Sequence, residues 1–140
     1  MSSRTKARKR ALDILFGADV RGVTIAAMLD EEAGRAATQP QRESSWPYAR
    51  EIVEGVEAHL ADIDAEIEAH AQGWPLERMP ALDRALARLA TWEIVYNDDV
   101  PDAVAIAEAV ESATVLSTED SAGFLNGLLG GITRAKGSMG

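Results

Sequence analysis

Five cations fall within the first ten residues, Arg4, Lys6, Arg8, Lys9 and Arg10, with no acid among them. Guanidinium and ammonium groups at that density are suited above all to neutralising phosphate, so this stretch is the first candidate for a nucleic-acid contact. Phe16 stands seven residues after Lys9 and four after Leu12. There its ring can stack on an unpaired base beside the cations, although the same spacing also suits an ordinary core residue. His59, Glu66 and His70 lie near one face of a continuous helical pattern and suggest a metal. A metal site usually takes three protein ligands at short spacing, however, and histidines in an acidic helix are ordinarily solvated. Glu93 occupies a position where the apolar pattern expects a hydrophobic residue. No histidine, serine or lysine is patterned to work with it, so a partly buried, hydrogen-bonded carboxylate is expected ahead of a catalytic acid. Cysteine is absent, there is no P-loop or nucleophile elbow, and Gly130-Gly131 lacks the strand that a nucleotide fold requires. These residues point to binding, with no catalytic site, no metal and no cofactor expected.

The elements that must carry these residues are helices. Ala7, Ala11, Ile14, Leu15 and Ala18 recur at i, i+4, i+7, i+8 and i+11, which predicts a helix running directly out of a basic arm of about residues 1–10. The cations are then expected on the solvent side of its first turns, where positive charge opposes the helix macrodipole and therefore suggests a ligand. Gly22 ends this helix, and Thr24 caps a short second one with Ile25, Met28 and Leu29 inward. Residues 34–43, small and polar with Pro40 among them, are expected to form a mobile loop. Ser45 caps a long pattern through Tyr48, Ile52, Val56, Leu60, Ile63 and Ile67. Asp62 can cap a new helix within it, so residues 45–72 fit one helix or two. Gly73, Trp74, Pro75 and Pro80 form the next link. Three further helices fill 81–132. Leu82, Leu86 and Leu89 mark the first, which Asn97, Asp98, Asp99 and Val100-Pro101 bring to a stop. Asp102 caps the second, whose inner face is expected to be Ala103, Ile106, Ala107, Val110 and Thr114. Ser117 with Asp120 reads as a near capping box for the third, striped by Phe124, Leu128 and Ile132. Each helix must cover its apolar stripe against another layer, which predicts an all-α bundle.

A chain of 140 residues suits one domain with a core that needs no disulfide or metal. The net charge is -9, and residues 11–140 hold nine basic against 23 acidic side chains. A basic arm on an acidic body concentrates any phosphate contact in the arm. The longest apolar run is far short of a membrane span, and Asp13 and Asp19 follow the basic stretch, unlike a signal-peptide core. A cytoplasmic protein with no membrane contact is expected. An acidic helical protein-interaction module, whose arm only aids solubility, is the alternative from a different class.

Four segments carry a specific resemblance: R-T-K-A-R-K-R-A-L-D-I-L-F at the start, D-R-A-L-A-R-L-A-T-W-E, D-D-V-P-D-A-V-A-I-A-E-A-V-E, and E-D-S-A-G-F-L-N-G-L-L near the end. In their order and spacing they resemble the NusB family of transcription antitermination factors. The resemblance implies two packed three-helix bundles, about seven helices, and no enzymatic activity. It implies RNA binding to the boxA element of ribosomal RNA leader transcripts together with ribosomal protein NusE, as part of the RNA polymerase antitermination complex. By position, Arg4, Lys6, Arg8, Lys9 and Arg10 are similar to the family's RNA-contacting arm. Phe16 and Phe124 stand where the family has aromatics near the RNA, and Asp83 and Asp120 match acidic positions facing NusE. Ala107, Ser112 and Gly130 depart from the family pattern. Exposed apolar surface around Phe16 or Phe124 can also pair two copies, so a homodimer is possible.

Overall fold

The computed structural model describes residues 2–39 and 44–139. Every regular element among them is helical: α1 (Ser3–Arg21), α2 (Ile25–Ala37), α3 (Trp46–Ala58), α4 (Leu60–His70), α5 (Ala81–Tyr96), α6 (Asp102–Leu116) and α7 (Glu119–Met139), with a single 3₁₀ turn at Leu76–Arg78. The chain divides into two compact units, Met1–Ala58 with α1 to α3 and His59–Gly140 with α4 to α7. None of the described helices is long and apolar enough to cross a membrane.

In the first unit the expected α1 stripe is the observed one, and Ala7, Ala11, Ile14, Leu15 and Ala18 are all buried. They meet Ala49, Ile52, Val53 and Val56 of α3, each wholly buried. Gly22 closes α1 at φ 68°, where its N–H reaches the carbonyls of Ala18 and Asp19, a left-handed geometry that any Cβ would strain. Thr24 caps α2 by accepting the Ala27 N–H at 3.0 Å. The expected loop begins later than its composition indicated, because residues 34–37 are the last turn of α2. Alanine and arginine on either side favour helix, and Arg35 pairs with Glu31 and Glu32 at 3.0 Å each; together these offset the roughly 1 kcal/mol that a helical glycine costs. Residues 40–43 of that expected loop lie outside the described residues.

The long pattern over 45–72 is two helices. The backbone leaves helical geometry at His59, φ -119° and ψ 22°, and Asp62 lies in the first turn of α4 instead of capping it. In the second unit α5 is the most buried helix, with Leu86, Leu89, Trp92 and Ile94 in the core. Arg88 of α5 forks onto both carboxylate oxygens of Asp64 in α4, at 2.8 and 3.0 Å.

Helix α6 turns a different face inward from the one its apolar pattern indicated. Ala105, Ala109 and Ala113 are buried, while Ala103, Ala107 and Thr114 are exposed and Ile106 and Val110 half-buried. Alanine at i, i+4 and i+8 lets the backbone approach its neighbours closely, which bulkier side chains at the contact prevent. Asp102 is the first helical residue and Pro101 holds the cap position. The α7 cap is Thr118, whose Oγ1 accepts the Ser121 N–H at 3.0 Å; Ser117 is used otherwise. Leu125, Leu128, Leu129 and Ile132 form the buried side of α7, so Phe124 flanks the stripe it was expected to lead. Lys136 reaches back from the last turns of α7 and donates to the Ile94 carbonyl and the Asp102 carboxylate, both at 2.8 Å. Helices α6 and α7 run unbroken through Ala107, Ser112 and Gly130.

Candidate nucleic-acid interface

The basic segment is helix almost from its start. Ser2 caps α1, its Oγ accepting the Thr5 N–H at 3.1 Å, so residues 3–10 are the first turns of a helix docked on α3, not a separate arm. The five cations separate into two groups. Arg4, Lys6 and Lys9 are exposed, whereas Arg8 is only 7% exposed and Arg10 is half-buried. This corrects the expectation that all five lie on the solvent side. Helical geometry explains the difference, since Arg8 lies three, four and seven residues before Ala11, Leu12 and Leu15 and so shares their face.

The engaged guanidiniums lie over aromatic rings of α3. The Arg4 guanidinium carbon is 4.4 Å from the Tyr48 ring centroid and that of Arg8 is 5.9 Å from it. Arg10 lies 5.0 Å over Trp46, donates to Ser45 Oγ at 3.2 Å and stands 3.7 Å from a Glu32 carboxylate oxygen. Cations over ring faces are attracted by the ring quadrupole, by roughly 0.5–1 kcal/mol at exposed sites. Trp46 and Tyr48 are therefore part of this surface. Their types were visible in the sequence, but sequence spacing gives no sign of a contact between helices so far apart in the chain.

Phe16 is 36% exposed on the same helix; Val20, at i+4, is 62% exposed, and Val23, just past the Gly22 cap, is 39% exposed. The ring is thus at the surface and not in the core. In the second unit Phe124 is half-buried and meets Trp74 edge-on, with centroids 4.7 Å apart and planes at 73°.

The two aspartates matched by resemblance to partner-facing positions differ in accessibility. Asp120 is exposed in the first turn of α7. Asp83 was expected to face a protein partner but is 1% exposed; Ser121 Oγ donates to its Oδ2 at 2.8 Å and Ser117 Oγ to its Oδ1 at 3.2 Å. It joins the end of α6 and the start of α7 from beneath.

The residues considered for a metal have other partners. His59 stacks on Tyr96, with centroids 3.9 Å apart at 12°, and His70 Nδ1 is 2.9 Å from the Glu66 carbonyl. Among the described residues no group of three or more histidines and carboxylates is placed to hold a metal. Partial burial, and then the Asp62 and Glu66 carboxylates, raise the Tyr96 phenol above its ordinary 10.0. Glu93 is fully buried and engaged within the fold.

A model of the NusB family matches residues 5–134, which takes in both units. The chain belongs to the NusB family. The transcription antitermination protein NusB of Leifsonia xyli subsp. xyli is 63% identical over 136 residues, covering 97% of this chain and 94% of that protein. The NusB of Clavibacter sepedonicus is 55% identical over 136 residues, covering 97% and 99%. Among solved structures, T. maritima NusB has a TM-score of 0.81 at 30% identity, covering 94% of this chain and 90% of that one. A chain in the crystal structure of antitermination factors NusB and NusE in complex with dsRNA gives 0.83 at 24% identity, covering 96% and 98%, a likeness of fold. The Leifsonia and Clavibacter relatives are named as transcription antitermination proteins.

Proposed function

We propose that this chain is a cytoplasmic RNA-binding antitermination factor that holds boxA-type RNA of ribosomal RNA leader transcripts together with ribosomal protein NusE, within the RNA polymerase antitermination complex. Residues 1–140 act as one domain in this role. The observation that carries the reading is the exposure of Arg4, Lys6 and Lys9 on one helix start in a chain otherwise rich in acid. Charge of that sign, placed against the helix macrodipole, is accounted for by an anion outside the fold. Arg8 and Arg10 build the underside of the same surface, and the Phe16 and Phe124 rings are the base-stacking positions. Support from outside the chain is the related fold in complex with NusE and dsRNA. Asp120 contacts the basic partner directly, and Asp83 fixes the turn that presents it. Two copies pairing over Phe16, Val20 and Val23 would cover the stacking ring, so a homodimer and RNA compete for that surface.

Replacing Arg4, Lys6 and Lys9 together with alanine tests the reading without disturbing the core, because all three are exposed. RNA binding should weaken, and the slope of log affinity against log salt should fall in magnitude by roughly 0.7 for each phosphate no longer neutralised, about 2 in all. An unchanged slope rejects the surface and leaves an acidic protein-interaction module.

A further inference from the structure

We infer that Tyr48 is a positioning residue for RNA binding, holding the Arg4 and Arg8 guanidiniums over its ring so that the start of α1 meets phosphate already ordered. The inference rests on the RNA-binding reading above and assigns a role to a residue of α3 that the cation pattern does not include. Arg4 is exposed, yet its guanidinium is 4.4 Å from the Tyr48 centroid. An exposed arginine ordinarily samples many rotamers, and those are lost when it grips a phosphate. A guanidinium held over a ring has lost part of that freedom beforehand. Arg4 stays exposed while it lies over the ring, so its N–H donors can still reach an oxygen ligand.

Arg4 and Arg8 are also like charges at i and i+4, which repel on a helix surface. The electron-rich ring face close to both, 4.4 and 5.9 Å away, offsets that repulsion and permits both cations on one face. Tyr48 can do this because it is itself fixed. It is half-buried in the first turn of α3, next to Ala49, and Ala49 and Ile52 are wholly buried. A site carried by a packed helix holds its geometry better than one carried by a loop. Arg10 differs: with Trp46, Ser45 and Glu32 around it, its charge is met within the unit, so Trp46 is assigned no such role.

The test uses the full chain and a fluorescently labelled boxA-type single-stranded RNA, titrated well below the melting temperature of every variant. The variants are Tyr48→Leu, Tyr48→Phe, Arg4→Ala and the double variant Arg4→Ala/Tyr48→Leu. Tyr48→Leu should weaken binding by about two- to fivefold, the size of one exposed cation–π contact. Tyr48→Phe, which keeps the ring, should bind as the unmodified chain does. In the Arg4→Ala background the effect of Tyr48→Leu should shrink, because the two residues act through one contact. Equal losses from the leucine and phenylalanine variants, or full additivity with Arg4→Ala, overturn the assignment. If Arg4→Ala weakens binding and Tyr48→Leu does not, the assignment fails while the RNA reading stands. If neither substitution has an effect, the assignment fails, and the salt slope of the Arg4, Lys6 and Lys9 triple variant decides the RNA reading separately.

Discussion

Helices α1 and α7 begin in opposite electrostatic states. The first turns of α1 carry Arg4 and Lys6 and no acid, whereas the first turn of α7 carries Glu119 and Asp120. Carboxylates near a helix N-terminus are stabilised by the exposed N–H groups, and cations there are disfavoured, by about 0.3–1 kcal/mol each. The charge at the start of α7 is thus favoured by the fold: a threonine cap, aligned charge, and the buried Asp83 holding Ser121 beneath it. The start of α1 is not. Its cap, Ser2, is as good, but its charge works against the helix and is arranged over an aromatic ring of the neighbouring α3. The difference separates charge that the helix itself favours from charge that works against it, a distinction that counting lysines and arginines cannot make.

The strongest way to break the comparison is at Asp83. Removing its carboxylate in Asp83→Ala leaves the Ser117 and Ser121 hydroxyls without their shared acceptor, and should lower stability by about 2–4 kcal/mol in denaturant unfolding. A loss of only a few tenths would mean that the start of α7 does not depend on it. Phe16→Ala should cost about 1–3 kcal/mol in RNA affinity. Since the ring is 36% exposed, the melting temperature should move far less than it would for a core phenylalanine. A large drop in melting temperature with RNA binding unchanged would return Phe16 to the core.

Asp120→Asn sharpens the contrast from the other side. Affinity for NusE, measured by calorimetry, should fall about tenfold, equivalent to ~1.4 kcal/mol, while the melting temperature drops only slightly because Glu119 keeps charge at the same helix end. A variant that melts several degrees lower yet binds NusE normally would make Asp120 a helix-stabilising charge only. The smallest effect concerns Tyr96. Its phenol holds its proton more tightly in the folded chain than the ordinary 10.0, so this contribution to stability is intact below about pH 10 and is lost as pH rises through the raised folded value. Tyr96→Phe should flatten the alkaline arm of a melting-temperature profile, and an identical arm in both proteins would show that the phenol does not contribute.

Much of the fold was legible because large apolar residues at helical spacing have few alternatives to burial. The α1 stripe, the Gly22 and Thr24 boundaries and the stop at Asn97 all followed from local rules. The face of α6 did not, because Ala105, Ala109 and Ala113 are buried by close backbone approach, and hydrophobicity ranks them below the valines and isoleucine beside them. Local rules also chose Ser117 as the cap, whereas its hydroxyl is committed to Asp83 in another helix. At the candidate interface the sequence named the cations but not their division. Whether Arg8 points to solvent depends on its angle to Leu12 and Leu15 and on Tyr48 across the bundle, and only the first is a local property.

Lys136 links three helices through one ammonium group, donating to a carbonyl in the last turn of α5 and to the first residue of α6. The residues between, where Asn97 Oδ1 accepts the Asp99 N–H at 3.1 Å, form a turn whose two ends are both held from α7. Fraying at the end of α7 releases both contacts, so it should also loosen the 97–101 turn. A segment remote in sequence acts as the latch on a connection that, judged by its own polar residues, would look free to breathe.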